Sequence, residues 1–210
     1  MLIILTVEYA VLLQPYALGR SLFVVFFLAT TTALYLGWRE RKNWKKLLWG
    51  SLVFGCVFGF ALSFFAEATG AWTTNDYIFH FRFFGLNTIE EVLGHGLMAF
   101  YTFLFYEHFL DDEKRKRLNP RYLWGLVIGI IGSLVLVAHY MLVGSVYLPY
   151  AYLWPATVAL VPLIVMVVRH PSLLSKLAIL SLFSFFLWFL MECLAVSFNY
   201  WSYQESIWDG

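Results

Sequence analysis

The sequence predicts an all-α fold: a polytopic integral membrane helix bundle of six or seven transmembrane helices, arranged as two imperfect repeats within a single membrane domain over residues 1–210. Three observations predict it. Hydrophobic residues make up 61% of the chain and aromatic residues 20%, with a mean hydropathy of +0.74, a composition that water-soluble domains do not use. Apolar stretches recur at the length of ~20 residues that a helix needs to cross a bilayer. Basic residues gather in every second loop, the pattern of the positive-inside rule.

Residues 1–13 are apolar but short, and Pro15 and Arg20 follow them; they read as a seventh, thin span or as the lead-in to the next helix. A secretory leader would carry a basic start and a small-x-small exit, and this segment has neither. Six spans are expected at residues 20–38, 47–70, 88–109, 122–143, 149–168 and 177–198. Arg39-Glu40-Arg41-Lys42-Asn43-Trp44-Lys45-Lys46 separates the first two. Lys114-Arg115-Lys116-Arg117 and Arg121 follow the third, and Arg169 and Lys176 follow the fifth. These loops are expected in the cytoplasm. The loops near 73–83 and 144–148 and the acidic end from Glu205 to Asp209 then face outward, so the C-terminus is non-cytoplasmic. With a net charge of +1 and basic groups confined to membrane flanks, no nucleic-acid partner is implied. Cys56 and Cys193 fall inside expected spans and read as packing residues rather than a disulfide pair.

An internal repeat organises the chain. Pro15-Tyr16-Ala17 recurs as Pro149-Tyr150-Ala151, each ahead of an apolar span, a basic loop and a second span that runs to a Trp. Laying Trp72 on Trp201 sets Ser63 against Glu192. Repeat one covers about 1–110, and an incomplete repeat two covers about 122–210. Only the first copy is followed by a span that opens on two acids, Glu90 and Glu91.

Ionisable groups at membrane depth are costly and mark function. Glu90 and Glu91 stand at a helix start, where free amides and the dipole favour acids, and Thr88 with Glu91 fits the capping box. Adjacent helical residues point ~100° apart, so the expected split is one capping carboxylate and one chemical one. Glu192 has apolar sequence on both sides. Glu67 shares a helical face with Ser63, so each copy offers a carboxyl at similar depth; Glu67, close before Gly70, also fits a residue at headgroup level. His95 lies one turn beyond Glu91. Glu-x-x-x-His opens many metal sites, but the five His do not form the dense His clusters of membrane oxygenases, so no metal is expected. Gly-rich phosphate loops and a Gly-x-Ser-x-Gly elbow are missing, and no cofactor is expected.

Carboxyl groups in a dry, aromatic pocket suit one chemistry in particular. Desolvation keeps such an acid protonated, so it can protonate a weak base such as an alkene. Trp, Tyr and Phe faces stabilise a developing carbocation, and a second carboxylate removes a proton. Proton-initiated rearrangement of a long polyene follows.

Ala71-Trp72, Asp76-Tyr77-Ile78, Phe84-Gly85-Leu86, Thr88-Ile89-Glu90-Glu91 and Phe105-Tyr106-Glu107, with Trp188, Glu192 and Trp201 in the second copy, carry a family resemblance. In order and approximate spacing they resemble the lycopene cyclase domain found in heterodimeric bacterial and fused archaeal or fungal carotenoid cyclases. The resemblance implies a cofactor-independent membrane isomerase, an intramolecular lyase of carotenoid biosynthesis, seated in a prokaryotic inner membrane. Its partners would be the lipid bilayer and a carotenoid or other long isoprenoid. Glu90 and Glu91 are the implied catalytic pair; Glu192 and Glu67 join them as candidate catalytic residues. Trp72, Trp201, Tyr77, His95, Tyr106 and Glu107 are the candidate substrate-binding residues. Ser63 departs from the family's first-copy Asp, Thr88 from its Pro, and Gly94-His95 from its apolar positions. The second copy has no Glu-Glu helix, so a homo- or hetero-dimer partner is expected to supply one. A non-catalytic carotenoid- or lipid-binding subunit and a small proton-coupled transporter are the rival classes.

Overall fold

A computed structural model describes residues 22–75, 79, 81–111, 121–145, 153–197 and 199–203. Residues 1–13, the two Pro-Tyr-Ala motifs, the basic cluster at 114–117, Tyr77, His80 and the acidic end at 205–209 lie outside the described residues.

Helix α1 covers Leu22–Arg39, and α2 (Trp44–Gly50) continues through a π-helical segment (Ser51–Val57) into α3 (Phe58–Ala68). Then come α4 (Ile89–Phe109), α5 (Arg121–Val143), α6 (Leu153–Arg169) and α7 (Leu174–Ser197). Four short strands join them: β1 (Trp72–Thr74), β2 (Arg82–Phe83), β3 (Asn87–Thr88) and β4 (Trp201–Tyr203). A helix thus stands in each of the six expected stretches. Among the described residues, two helices are long and apolar enough to cross a membrane, Trp44–Ala68 and Pro171–Ser197. The shorter apolar run Ile130–Val143 lies within α5. The described residues are therefore mostly helical with two such helices, a coarser result than the expected six or seven spans.

Helix α4 is the central element. Its Met98, Tyr101 and Leu104 form one buried cluster with Ala33 and Leu36 of α1, Leu47 of α2 and Leu187 of α7. Phe105 of α4 stacks on Phe183 of α7 with ring centroids 3.8 Å apart. On its other side, α4 meets the π-helical segment at glycines. A Cβ at Gly55 would lie 2.6 Å from Gly96 Cα and 2.7 Å from the His95 carbonyl oxygen, and one at Gly59 would overlap the His95 side chain. Gly55 and Gly59 form a Gly-x-x-x-Gly pair, the device that lets helix backbones touch in membranes. The sequence reading overlooked it.

The end of α4 is tied to the turn between α1 and α2. Asn43 Nδ2 donates to Glu107 Oε1 at 2.5 Å, Lys46 reaches Glu107 Oε2 at 3.3 Å, and His108 Nδ1 lies 2.5 Å from Glu40 Oε1. Lys46 is largely exposed, so its ion pair adds little; the buried Glu107 carboxylate is held mainly by Asn43.

Helices α3 and α7 end in the same way. Gly70 and Asn199 take positive φ, 73° and 57°, in register when Trp72 is laid on Trp201. Gly70 N donates to Glu67 O and Ala71 N to Ala66 O; Asn199 N donates to Val196 O and Tyr200 N to Ala195 O. Both sets are the paired bonds of a Schellman stop. Each stop turns the chain into a strand, and the strands pair antiparallel with Trp72 opposite Tyr203, Thr73 opposite Ser202 and Thr74 opposite Trp201.

Outward faces of α5 and α7 are strongly apolar: Leu134, Val135 and Leu142 on α5 and Leu182, Phe185, Phe186 and Phe189 on α7 are each more than half exposed.

Because the Gly55 contact is backbone to backbone, Gly55→Leu should destabilise the protein by about 1–3 kcal/mol, the usual cost of overpacking. Gly132→Leu is the control, since a Cβ there meets nothing within 4 Å. Thermal unfolding in detergent should show a lower midpoint for the first variant and little change for the second.

Candidate functional site

The start of α4, the last turns of α7 and the β1–β4 pair enclose a cleft of about 90 Å³. Glu90, Glu91, Gly94, His95 and Met98 line it from α4, Trp188, Met191 and Glu192 from α7, and Trp72, Thr74, Trp201 and Tyr203 from the strands. Apolar and aromatic side chains make up most of the wall, and the acids converge on it from two segments distant in sequence.

Local structure fixes each carboxyl differently. Thr88 is the N-cap of α4 and makes a complete capping box with Glu91. Glu91 Oε2 accepts from Thr88 N at 2.7 Å, while Glu91 Oε1 lies 2.6 Å from Thr74 Oγ1. Glu91 is thus the capping acid, yet one of its oxygens still faces away from the cap. Glu90, 4% exposed, accepts from the Phe79 amide through Oε1 at 2.7 Å. Both acids border the cleft, because the cleft wraps the first turn of the helix instead of one side of it. The capping half of the expected split thus falls to Glu91.

Glu67, at the end of α3, has a side chain only 4% exposed, buried within the protein. Its Oε1 lies 2.8 Å from Thr74 Oγ1 and accepts from Thr74 N at 3.2 Å. Arg82 approaches its Oε2 at 3.6 Å. Arg82 also donates to Leu86 O at 2.8 Å and Thr74 O at 3.0 Å, so one guanidinium ties β1, the β2–β3 hairpin and α3 together. Glu67 therefore reaches the cleft through Thr74, one hydroxyl removed from Glu91.

Glu192 Oε2 accepts from Trp201 Nε1 at 3.0 Å and from Tyr203 Oη at 2.6 Å. The two donors come from the strand that follows the same helix. Burial and the bond donated to Glu192 push the Tyr203 phenol above its ordinary value. His95 Nδ1 lies 2.7 Å from the Glu91 carbonyl oxygen. A carbonyl only accepts, so Nδ1 carries hydrogen and Nε2 is the acceptor of the neutral ring. The ring sits 5.8 Å from that of Trp188.

The structure brings together Glu90, Glu91, Glu192, Trp72, Trp201 and His95, with Glu67 one step away. It does not bring Tyr106 or Glu107, which stand 16 and 17 residues along α4 from Glu90, about 24 Å at 1.5 Å per residue. Glu107 is committed instead to Asn43 and Lys46. Tyr77 lies outside the described residues. Thr74, Arg82, Met98, Met191 and Tyr203 are the residues that sequence reasoning passed over, and Trp188 entered it through the family resemblance without being named as a site candidate. Trp188, one turn before Glu192 on the same face, had a readable signal; Arg82 and Thr74 had none, since only chain folding places them against Glu67. Among the described residues no group of three His, Cys, Asp or Glu could hold a metal ion. No family model, curated protein or solved structure matches the chain.

A phenol whose value is raised by folding adds stability that is complete below the ordinary phenol range and is lost as pH rises through the raised value. An alkaline titration followed by tyrosinate absorbance should therefore show a component that ionises after the other tyrosines. Tyr203→Phe should remove it.

Proposed function

We propose that the chain is an integral membrane isomerase that binds the end group of a carotenoid or related long isoprenoid and cyclises it by proton addition and removal. The observation that carries this reading is the convergence of Glu90, Glu91 and Glu192 on one aromatic cleft. The family resemblance in the sequence supports it as well.

The chemistry closes without a cofactor. A carboxyl on the first turn of α4 adds its proton to a terminal carbon–carbon double bond, leaving a cation on the neighbouring carbon. An internal double bond of the same chain attacks that cation, and the new carbon–carbon bond closes the ring. A base then removes a proton from the carbon beside the relocated cation, restoring a double bond, so substrate and product are isomers. Trp72, Trp188 and Trp201 offer the faces that stabilise positive charge. Glu192, which accepts from two donors, is the second carboxyl on the cleft available to take up the proton, and His95 lines the same wall. A cleft of this size takes the end of a chain and leaves the rest to run into lipid.

The exposed apolar faces of α5 and α7 suit contact with acyl chains, since soluble proteins do not display such surfaces over whole helices. We place the protein in a prokaryotic inner membrane as a bundle of six or seven spans, with the basic loop at 39–46 in the cytoplasm. The runs of α3, α4 and α7 then put the cleft near the opposite face.

Two experiments test the proposal. After alkaline carbonate washing the protein should stay in the membrane pellet. In a lycopene-accumulating host, expressed with and without neighbouring genes, wild type should yield ring-bearing carotenoid on pigment chromatography. Glu90→Gln or Glu91→Gln should abolish the product and leave pigment binding intact. Bound pigment with no new product under any pairing would mean a binding subunit, and proton-coupled uptake into vesicles a transporter; either outcome ends the cyclase reading.

A further inference from the structure

We propose that Thr74 joins Glu67 and Glu91 into a unit that stores one proton between the two carboxyls. The proposal comes from counting hydrogens. Thr74 Oγ1 lies 2.8 Å from Glu67 Oε1 and 2.6 Å from Glu91 Oε1. A threonine hydroxyl has one proton, so it donates to one of these oxygens and must accept from the other. A carboxylate has no proton to give. Both short contacts exist together only if one of the two acids is protonated.

Both acids are held by further donors on the protein. Glu67 receives Thr74 N at 3.2 Å on the same oxygen and Arg82 at 3.6 Å on the other. Glu91 Oε2 accepts from Thr88 N and Thr88 Oγ1, so its Oε1 is left to Thr74. The hydrogens then run from one carboxyl to Thr74 and from Thr74 to the other, and every partner is satisfied. The other titratable groups facing the unit are Glu90, His95 and Glu192, which line the same cleft as Glu91.

Such a unit gives the cleft a neutral acid and a path for refilling it. A proton stored on Glu67 reaches the cleft when Thr74 passes its own hydrogen to Glu91 and takes the one from Glu67, which leaves Glu91 as the acid and Glu67 as the carboxylate beside Arg82. That role in turnover rests on the isomerase reading, but the stored proton does not. It makes Thr74 a positioning residue.

Infrared spectroscopy of the purified full-length protein in lipid reads the proton directly, as the carbonyl stretch of a protonated carboxyl that shifts in D2O. At neutral pH wild type should show this band. Glu91→Gln and Glu67→Gln should each lose it, with the start of the helix kept in the first because Gln also completes the capping box. In Thr74→Val the band should move or vanish, since its hydrogen-bond acceptor is gone. Absence of the band in folded wild type overturns the proposal, as does its persistence in Glu91→Gln. Loss of the band in only one of the two variants overturns the shared store and leaves a single buried acid. Ring formation without the band would leave the isomerase standing and remove the store; the band without ring formation would do the reverse.

Discussion

The cleft exists because β1 and β4 pair. Three residues on each side, centred on Thr73 opposite Ser202, bring the exits of α3 and α7 against each other and above the first turn of α4. The pairing is reinforced by side chains, with Thr73 Oγ1 and Ser202 Oγ 3.0 Å apart and Asn75 donating to both Asn199 and Ser202. Peptide groups that leave a helix near a bilayer must find partners within the protein. Here the two exits satisfy one another. Trp72, Thr74, Trp201 and Tyr203 face the cleft only because this register holds.

A second dependence runs through the capping box. Thr88 and Glu91 satisfy the amides at the start of α4, and the same carboxyl then meets Thr74 from another strand. Capping and the contact with Thr74 are therefore not alternatives for Glu91; each uses a different oxygen. Two unit charges ~5 Å apart in a medium of effective dielectric ~20 repel by about 3 kcal/mol. That repulsion is large beside the worth of one hydrogen bond. It makes a shared proton the cheaper way to hold Glu67 and Glu91 near one hydroxyl.

Much of the site was legible as chemistry in the chain. Glu90, Glu91 and Glu192 stood out because charge is rare in an apolar sequence, and the Trp72–Trp201 alignment named the two segments that now pair. The alignment could not show that the segments touch, because hydrogen bonds between strands leave no periodic trace over three residues. Glu67 was visible, but its burial against Arg82 was not. Tyr106 and Glu107 were grouped with the site on order along the chain, and helix length carries them to the far end. Gly55 and Gly59 were readable as a contact motif, yet their partners, Gly96 and His95, were not.

Composition and charge placement by themselves determined a helical, apolar chain with acids at a few costly positions, since transfer energies depend on residue type and need no fold. The capping box at Thr88 and Glu91 was likewise local, set within a single turn. Only the tertiary structure decided which acids share a cleft, which one meets Arg82, and which hydroxyl lies between two carboxyls. Those choices turn on distances of a few ångströms between segments far apart in the chain, and such distances are set by packing at Gly55 and Gly96 and by strand register at Thr73 and Ser202.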